Sequence, residues 1–251
     1  MTETLLYVLS VILKLGIIPV ALLIYKKKIS FVNGLFAGTL LFLASFGCTV
    51  HSANMMYGGS IIDSTVNGVF DSFAKAAEQS GLYAAEEADA FKAVLNLMKE
   101  TYFVLIPSVL VCTNLVFAYC LLMLSKGFLA LCKKDVSMFL RFCDFKMSRF
   151  GIVLGIAAYI ISEFSQLGTA AYAFLNFAVI ILFAVTVCGL SVVDFKFRKV
   201  IKPSVPRFLI YCPAFVLIFA TMGFGTGVLL FIGVWDAFFD LRSGRAPRNE
   251  Q

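Results

Sequence analysis

The sequence predicts an all-α fold: a polytopic transmembrane helix bundle of about seven spans, with an amphipathic helical hairpin on the outer face. Three observations predict it. Of 251 residues, 61% are hydrophobic and 14% charged, against roughly 45 to 50% and about 25% in ordinary soluble domains, and the mean hydropathy is +0.93. The apolar residues fall in runs of span length, because a helix rising about 1.5 Å per residue needs about 20 of them to cross a hydrocarbon core of roughly 30 Å. The cations gather in alternate connections between those runs. A soluble globule, a disordered chain, a fibre and a disulfide-stapled secreted domain are thereby excluded. The seven cysteines include no C-x-x-C pair and sit mostly in apolar runs, which reads as small reduced hydrophobes.

Residues 5–25 form the first expected span, interrupted only by Lys14 and closed by Lys26, Lys27 and Lys28. The second covers 31–50, with Ser30 placed as its N-cap. Residues 102–124 are the cleanest run, 150–164 a short one that needs thinned bilayer or little tilt, and 169–193 a long one. The tract 206–240 is too long for one crossing, since about 35 helical residues would extend some 50 Å. It is expected to turn at Gly223, Gly225 and Gly227, giving spans near 207–222 and 224–240 or a re-entrant hairpin. The whole of 1–251 reads as one integral membrane domain with a disordered tail at 243–251.

Orientation follows from the cations. Three lie at 26–28, six between Lys126 and Arg149, five between Lys196 and Arg207, and three from Arg242 to Arg248, so 17 of the 21 fall on one side of the seven-span chain. The expectation is a bacterial cell (inner) membrane protein with its N-terminus outside and its C-terminus in the cytoplasm. The net charge of +6 is then accounted for without a nucleic-acid partner. Met1-Thr2-Glu3-Thr4 places an acid and no cation before the first run, so that run is expected to stay as a permanent helix rather than a cleaved signal.

Residues 57–101 are the one sizeable segment expected outside lipid. Ile62, Val66, Val69, Phe70, Phe73 and Ala77 recur at three- and four-residue steps, opposite Asp63, Asn67, Asp71, Lys75 and Glu78. Ser80-Gly81 breaks the pattern, and a second helix starts near Ala84 and is able to run straight into the third span. Such a hairpin packs on itself, caps the bundle as a lid, or docks a partner.

No metal motif, nucleophile elbow or phosphate loop is present, and the single histidine, His51, stands at a span end as a cap. The expectation is therefore no enzyme, no cofactor and no metal. Ionisable residues inside spans point further, because each costs roughly 2.5 to 3.5 kcal/mol on insertion scales. Lys14 is the deepest and is expected to face the bundle interior or a wet cavity, or else to snorkel. Together with Asn114, Glu163, Tyr172 and Asn176 it makes up a candidate polar pocket for a small solute. Asn114 and Asn176 also read as interhelical glue. Near the C-terminus Asp236 and Asp240 share a helix face and need cations, from Arg242 and Arg245 or from Lys196, Arg198 and Lys199, with Trp235 as an interfacial anchor. Trp235, Asp236, Asp240 and Arg242 form a candidate cytoplasmic latch. The small-residue pairs Gly34/Gly38, Gly151/Gly155 and Gly223/Gly227 permit close helix approach.

Ile106-Pro107-Ser108-Val109, Phe145-Lys146-Met147, Asn176 followed by Gly189-Leu190-Ser191, and Gly233-x-x-Asp236-x-x-x-Asp240-Leu241-Arg242 together resemble the YybS-like bacterial membrane proteins of unknown function, over roughly residues 100 to 245. The resemblance implies an N-terminally shortened member, since the family begins with additional helices, and this chain has Ser148 where the family often has proline. At the level of fold the family is similar to the substrate-binding membrane subunits of energy-coupling vitamin transporters, which implies binding or transport of a small solute. The rival expectation is a non-transporting scaffold docking another membrane protein. Its partners are otherwise the lipid bilayer alone.

Overall fold

The computed structural model describes residues 2–80, 85–164, 168–200 and 224–242. They are mostly helical, with no strand among them. Within the chain, contacts cluster into two compact units, Met1–Phe139 and Leu140–Gln251. Four helical stretches are long and apolar enough to cross a membrane: Glu3–Tyr25, Phe31–Tyr57, Ala90–Leu131 and Thr169–Arg198. Two shorter apolar helices, Arg149–Ser162 and Gly225–Phe239, accompany them. The expected span 207–222 and the tail 243–251 lie outside the described residues.

In the first unit the expected span 5–25 is two helices, α1 (Thr2–Leu15) and α2 (Ile17–Tyr25). The interruption at Gly16 follows from Pro19, which has no N–H to donate to the Leu15 carbonyl. Helix α3 (Phe31–Tyr57) starts where expected, with the Ser30 hydroxyl accepting from the Asn33 N–H at 3.2 Å. It runs past Val50 because no breaker arrives before Gly58, whose φ of +69° closes the helix in the left-handed region. Gly34 and Gly38 let α2 approach: a Cβ on Gly34 would run into the Ile24 side chain and one on Gly38 into Ile17. The small-residue spacing there serves internal packing.

A seam of hydroxyls joins α1 to α3. The Ser10 Oγ lies 3.0 Å from the Ser45 Oγ and 2.7 Å from the Thr49 Oγ1, Ser45 donates to the Ser10 carbonyl, and Ser52 donates to the Glu3 carbonyl. Ser10 and Ser45 are fully buried, so each hydroxyl finds the partner that an apolar surround would otherwise deny it.

Helix α4 (Ile61–Ser80) ends at the expected break. Helix α5 (Ala85–Leu131) is unbroken over 47 residues, about 70 Å, so the second amphipathic helix does continue into the third span. Glu78 and Lys92 pair at 2.8 Å and Phe70 meets Tyr102 edge-on at 6.3 Å, fastening α4 alongside the start of α5. The Lys92 ammonium holds the Glu78 carboxyl below its ordinary range by hydrogen bond and charge. After α5 the chain folds back. Phe139 is buried against Phe31, and Lys126 donates to its carbonyl at 3.2 Å.

The second unit holds a 3-10 turn (Phe142–Asp144), α6 (Arg149–Ser162), α7 (Thr169–Val200) and α8 (Phe224–Phe239). Ser148 caps α6 by accepting from the Gly151 N–H at 3.1 Å. With 14 residues α6 rises only about 21 Å, short of a bilayer core. Helix α7 extends past the expected end at Val193 to Val200, no breaker intervening before Pro203. Gly155 receives the Ile181 side chain. The tightest approach is between α7 and α8, where a Cβ on Gly189 would overlap the Leu229 carbonyl oxygen and one on Gly233 the Val185 carbonyl oxygen. Ile152, Val185 and Ala237 form the buried core around this crossing.

Candidate functional site

The best-defined polar constellation lies at the end of α8. Asp240 turns the chain with a φ of +49°, its N–H bonded to the Asp236 carbonyl at 2.9 Å, and this reversal carries Arg242 back inside. The Arg242 guanidinium spans three elements. Nη1 donates to the Cys143 carbonyl at 2.6 Å and to the Ser191 Oγ at 3.1 Å, while Nη2 donates to the Cys188 carbonyl at 3.3 Å and pairs with the Asp236 carboxylate at 3.0 Å. Ser191 in turn donates toward the Phe142 and Phe145 carbonyls. Arg242 is 7% and Asp236 1% exposed. Burial at that depth is favourable only because charge meets charge and most polar atoms find partners. Two do not: Asp236 Oδ1 and Arg242 Nε have no hydrogen-bond partner among the described residues.

Around this centre lie three further contacts. Lys146 pairs with Asp240 at 2.9 Å, and it holds the Asp240 carboxyl below the usual carboxylate range. Arg149 donates to the Ala237 and Phe238 carbonyls at 3.0 and 2.8 Å, so a cation closes the carboxyl end of α8, where the helix dipole favours one. Within α7, Arg198 pairs with the buried Asp194 at 2.9 Å. Of the cations expected to serve the two acids of α8, Arg242 takes Asp236, whereas Arg198 serves its own helix. Lys146 and Arg149 were not anticipated, and no local pattern could have shown them, since they reach α8 from about ninety residues earlier. Trp235 lies on the outward face of α8 between Phe231 and Phe239, with centroids 5.3 and 4.7 Å away.

The other candidate residues are distributed between the units. Lys14 and Asn114 belong to the first, Glu163, Tyr172 and Asn176 to the second. The Lys14 side chain is exposed. The inward face of the first two helices is taken by Leu6, Ser10, Leu13, Ile17, Val20 and Ile24, and Lys14 stands beside that stripe, aligned with Tyr7, Val11 and Ile18. Asn114 is buried and donates to the Leu110 carbonyl of its own helix at 2.8 Å. Asn176 donates likewise to the Tyr172 carbonyl at 2.8 Å. Tyr172 is exposed, and Glu163 is exposed at the C-cap of α6. Among the described residues no group of three His, Cys, Asp or Glu side chains is placed to hold a metal ion.

Long apolar helices and a buried acid–arginine cluster define a polytopic helical membrane protein. The chain belongs to the DUF2232 family of predicted membrane proteins, whose model matches residues 1–237. That match begins at the first residue, well before the region of about 100 to 245 that carried the resemblance seen in the sequence. No curated protein and no solved structure matches the chain.

Proposed function

We propose that this is a YybS-like multi-pass protein of the bacterial cell membrane, N-terminus outside and C-terminus cytoplasmic, that binds a small polar solute without chemical conversion. The observation that supports the reading is the pair of buried, unpartnered atoms at Asp236 and Arg242. A carboxylate oxygen able to accept and a guanidinium N–H able to donate are together suited to one small group carrying both a donor and an acceptor. Ionisable residues buried within a membrane protein mark functional sites more often than structural ones.

The test is thermal stabilisation of the purified full chain by a library of vitamins and polar metabolites. A ligand in excess over its Kd raises the melting temperature by mass action, and the shift should vanish in Asp236→Asn while persisting in Glu163→Gln. If no compound raises the melting temperature at saturating concentration, the solute reading falls.

A scaffold role is the second reading, supported by Val69 and Phe73 on α4 and Leu97 and Met98 on α5, all largely exposed on the outer hairpin. Chemical cross-linking with mass spectrometry on intact cells tests it: one abundant protein partner at the hairpin or the 126–149 connection supports the role, and none refutes it. No nucleic-acid partner belongs to either reading.

A further inference from the structure

Lys14 sits at the midpoint of the apolar stretch Glu3–Tyr25, with about 16 Å of helix to either end. A four-carbon stem does not cover that distance. Its side chain is exposed, and no ion pair or hydrogen bond of its ammonium is found among the described residues. The surrounding surface is apolar: Tyr7, Val11 and Ile18 are 59%, 40% and 54% exposed along the same stripe. Lys14 occupies the last turn of α1, and α2 begins at Ile17.

We propose that this stripe is a docking surface for a transmembrane helix of another protein that brings an aspartate or glutamate to mid-membrane against Lys14. Charge complementarity selects the occupant. Anionic headgroups lie at the membrane surface, beyond the reach of the side chain. The exposed acids of a second copy stand away from the middle of their apolar stretches: Glu163 follows the last residue of α6, and Glu100 lies ten residues into the 42-residue stretch Ala90–Leu131. Asp194 and Asp236 are buried and paired with Arg198 and Arg242, and residues 201–223 contain no acid. The apolar neighbours give the partner helix the close packing that holds such a pair in lipid. This inference does not rest on the solute reading and survives its failure.

The experiment places a photo-crosslinking phenylalanine analogue at Val11, Ile18 or, as a control exposed on another face, Ile12, in the full chain expressed in bacterial membranes. The expected result is an adduct from Val11 and Ile18, absent from Ile12, with one membrane protein that carries Asp or Glu in the middle of a transmembrane segment. Lys14→Leu lowers its yield about tenfold or more, Lys14→Arg retains it, and Lys14→Asp recovers it when the partner's acid is changed to lysine. Adducts with lipid alone, with a second copy, or with a protein lacking an intramembrane acid overturn the proposal, as does a yield unchanged by Lys14→Leu. Lys14→Gln, which keeps a polar side chain of similar length, carries the same comparison should Lys14→Leu fail to accumulate.

Discussion

Gly189→Ala and Gly233→Ala should each separate α7 from α8. At both positions the new Cβ meets backbone, the Leu229 carbonyl in one case and the Val185 carbonyl in the other, so no rotamer change can relieve the overlap. At Gly233 it would also lie 3.0 Å from Val185 Cγ1 and 3.1 Å from the Gly189 nitrogen. The helices must move apart by roughly an ångström, a repacking that costs typically 1 to 3 kcal/mol. Backbone against backbone puts the cost near about 3 kcal/mol. Alanine returns only about 0.5 to 1 kcal/mol through helix preference, leaving about 2 kcal/mol of net destabilisation. Gly227 is the internal control, since its Cβ would meet nothing within 4 Å among the described residues. Gly227→Ala should therefore be neutral or stabilising by up to about 1 kcal/mol. Titration with denaturing detergent, followed by emission of the single tryptophan Trp235 in α8, measures the difference. Alkylation of Cys188, buried beside Gly189, reports local opening when mapped by mass spectrometry. If the two close-contact variants unfold with Gly227→Ala, the crossing described here is wrong.

Four further outcomes are expected. Arg242→Met leaves Asp236 buried without its cation and should cost about 3 to 5 kcal/mol, whereas the double variant with Asp236→Leu should recover much of that; a double-mutant cycle in the same detergent titration checks it. Ser45→Ala removes one link of the α1–α3 seam and should cost about 0.6 kcal/mol, the average for such bonds in a membrane protein. Glu78 has a depressed folded-state pKa, so its pairing with Lys92 contributes fully above the unfolded value and is lost as pH falls through the folded one. Hydrogen exchange in α4, corrected for intrinsic rates, should accelerate as pH drops below about 5, and Lys92→Met should abolish that dependence. Reporter fusions after Lys28, Gly81 and Gln251 should read inside, outside and inside; any other pattern overturns the topology drawn from the cations.

Much of the architecture was legible because it is written locally. Ser30 caps α3, Ser80 ends α4, and the apolar period of 62–77 carries through to α4, with Val66 buried and Val69 and Phe73 exposed. Boundaries were less legible where no breaker stands: α3 and α7 continue past their expected ends to Gly58 and Val200, because polar residues at a span end do not stop a helix. The α7–α8 crossing was hidden for another reason. Gly189 and Gly233 belong to different helices, and which backbone each meets across the crossing is set by the tertiary fold alone. The cluster at Arg242 was half legible. An acid at a helix C-terminus needs a cation, which pointed to Arg242, but Ser191, the Cys143 carbonyl and Arg149 are joined to it only by the tertiary fold.

The break at Gly16 shows how a local feature changes the meaning of a charge. A continuous helix over 3–25 would place Lys14 in mid-helix, with no helix end beside its charge. Two shorter helices place it at a helix end instead, and the last turn of α1 offers partial negative charge from carbonyls that Pro19 cannot engage. That offset makes the lysine tolerable on an outward face without burying it. The second unit treats its charges in the opposite way: Arg242 is enclosed, shared among three elements and matched to Asp236. A cation that must hold a fold together is surrounded by it. Lys14, at the middle of Glu3–Tyr25, is instead exposed and without an ion pair among the described residues.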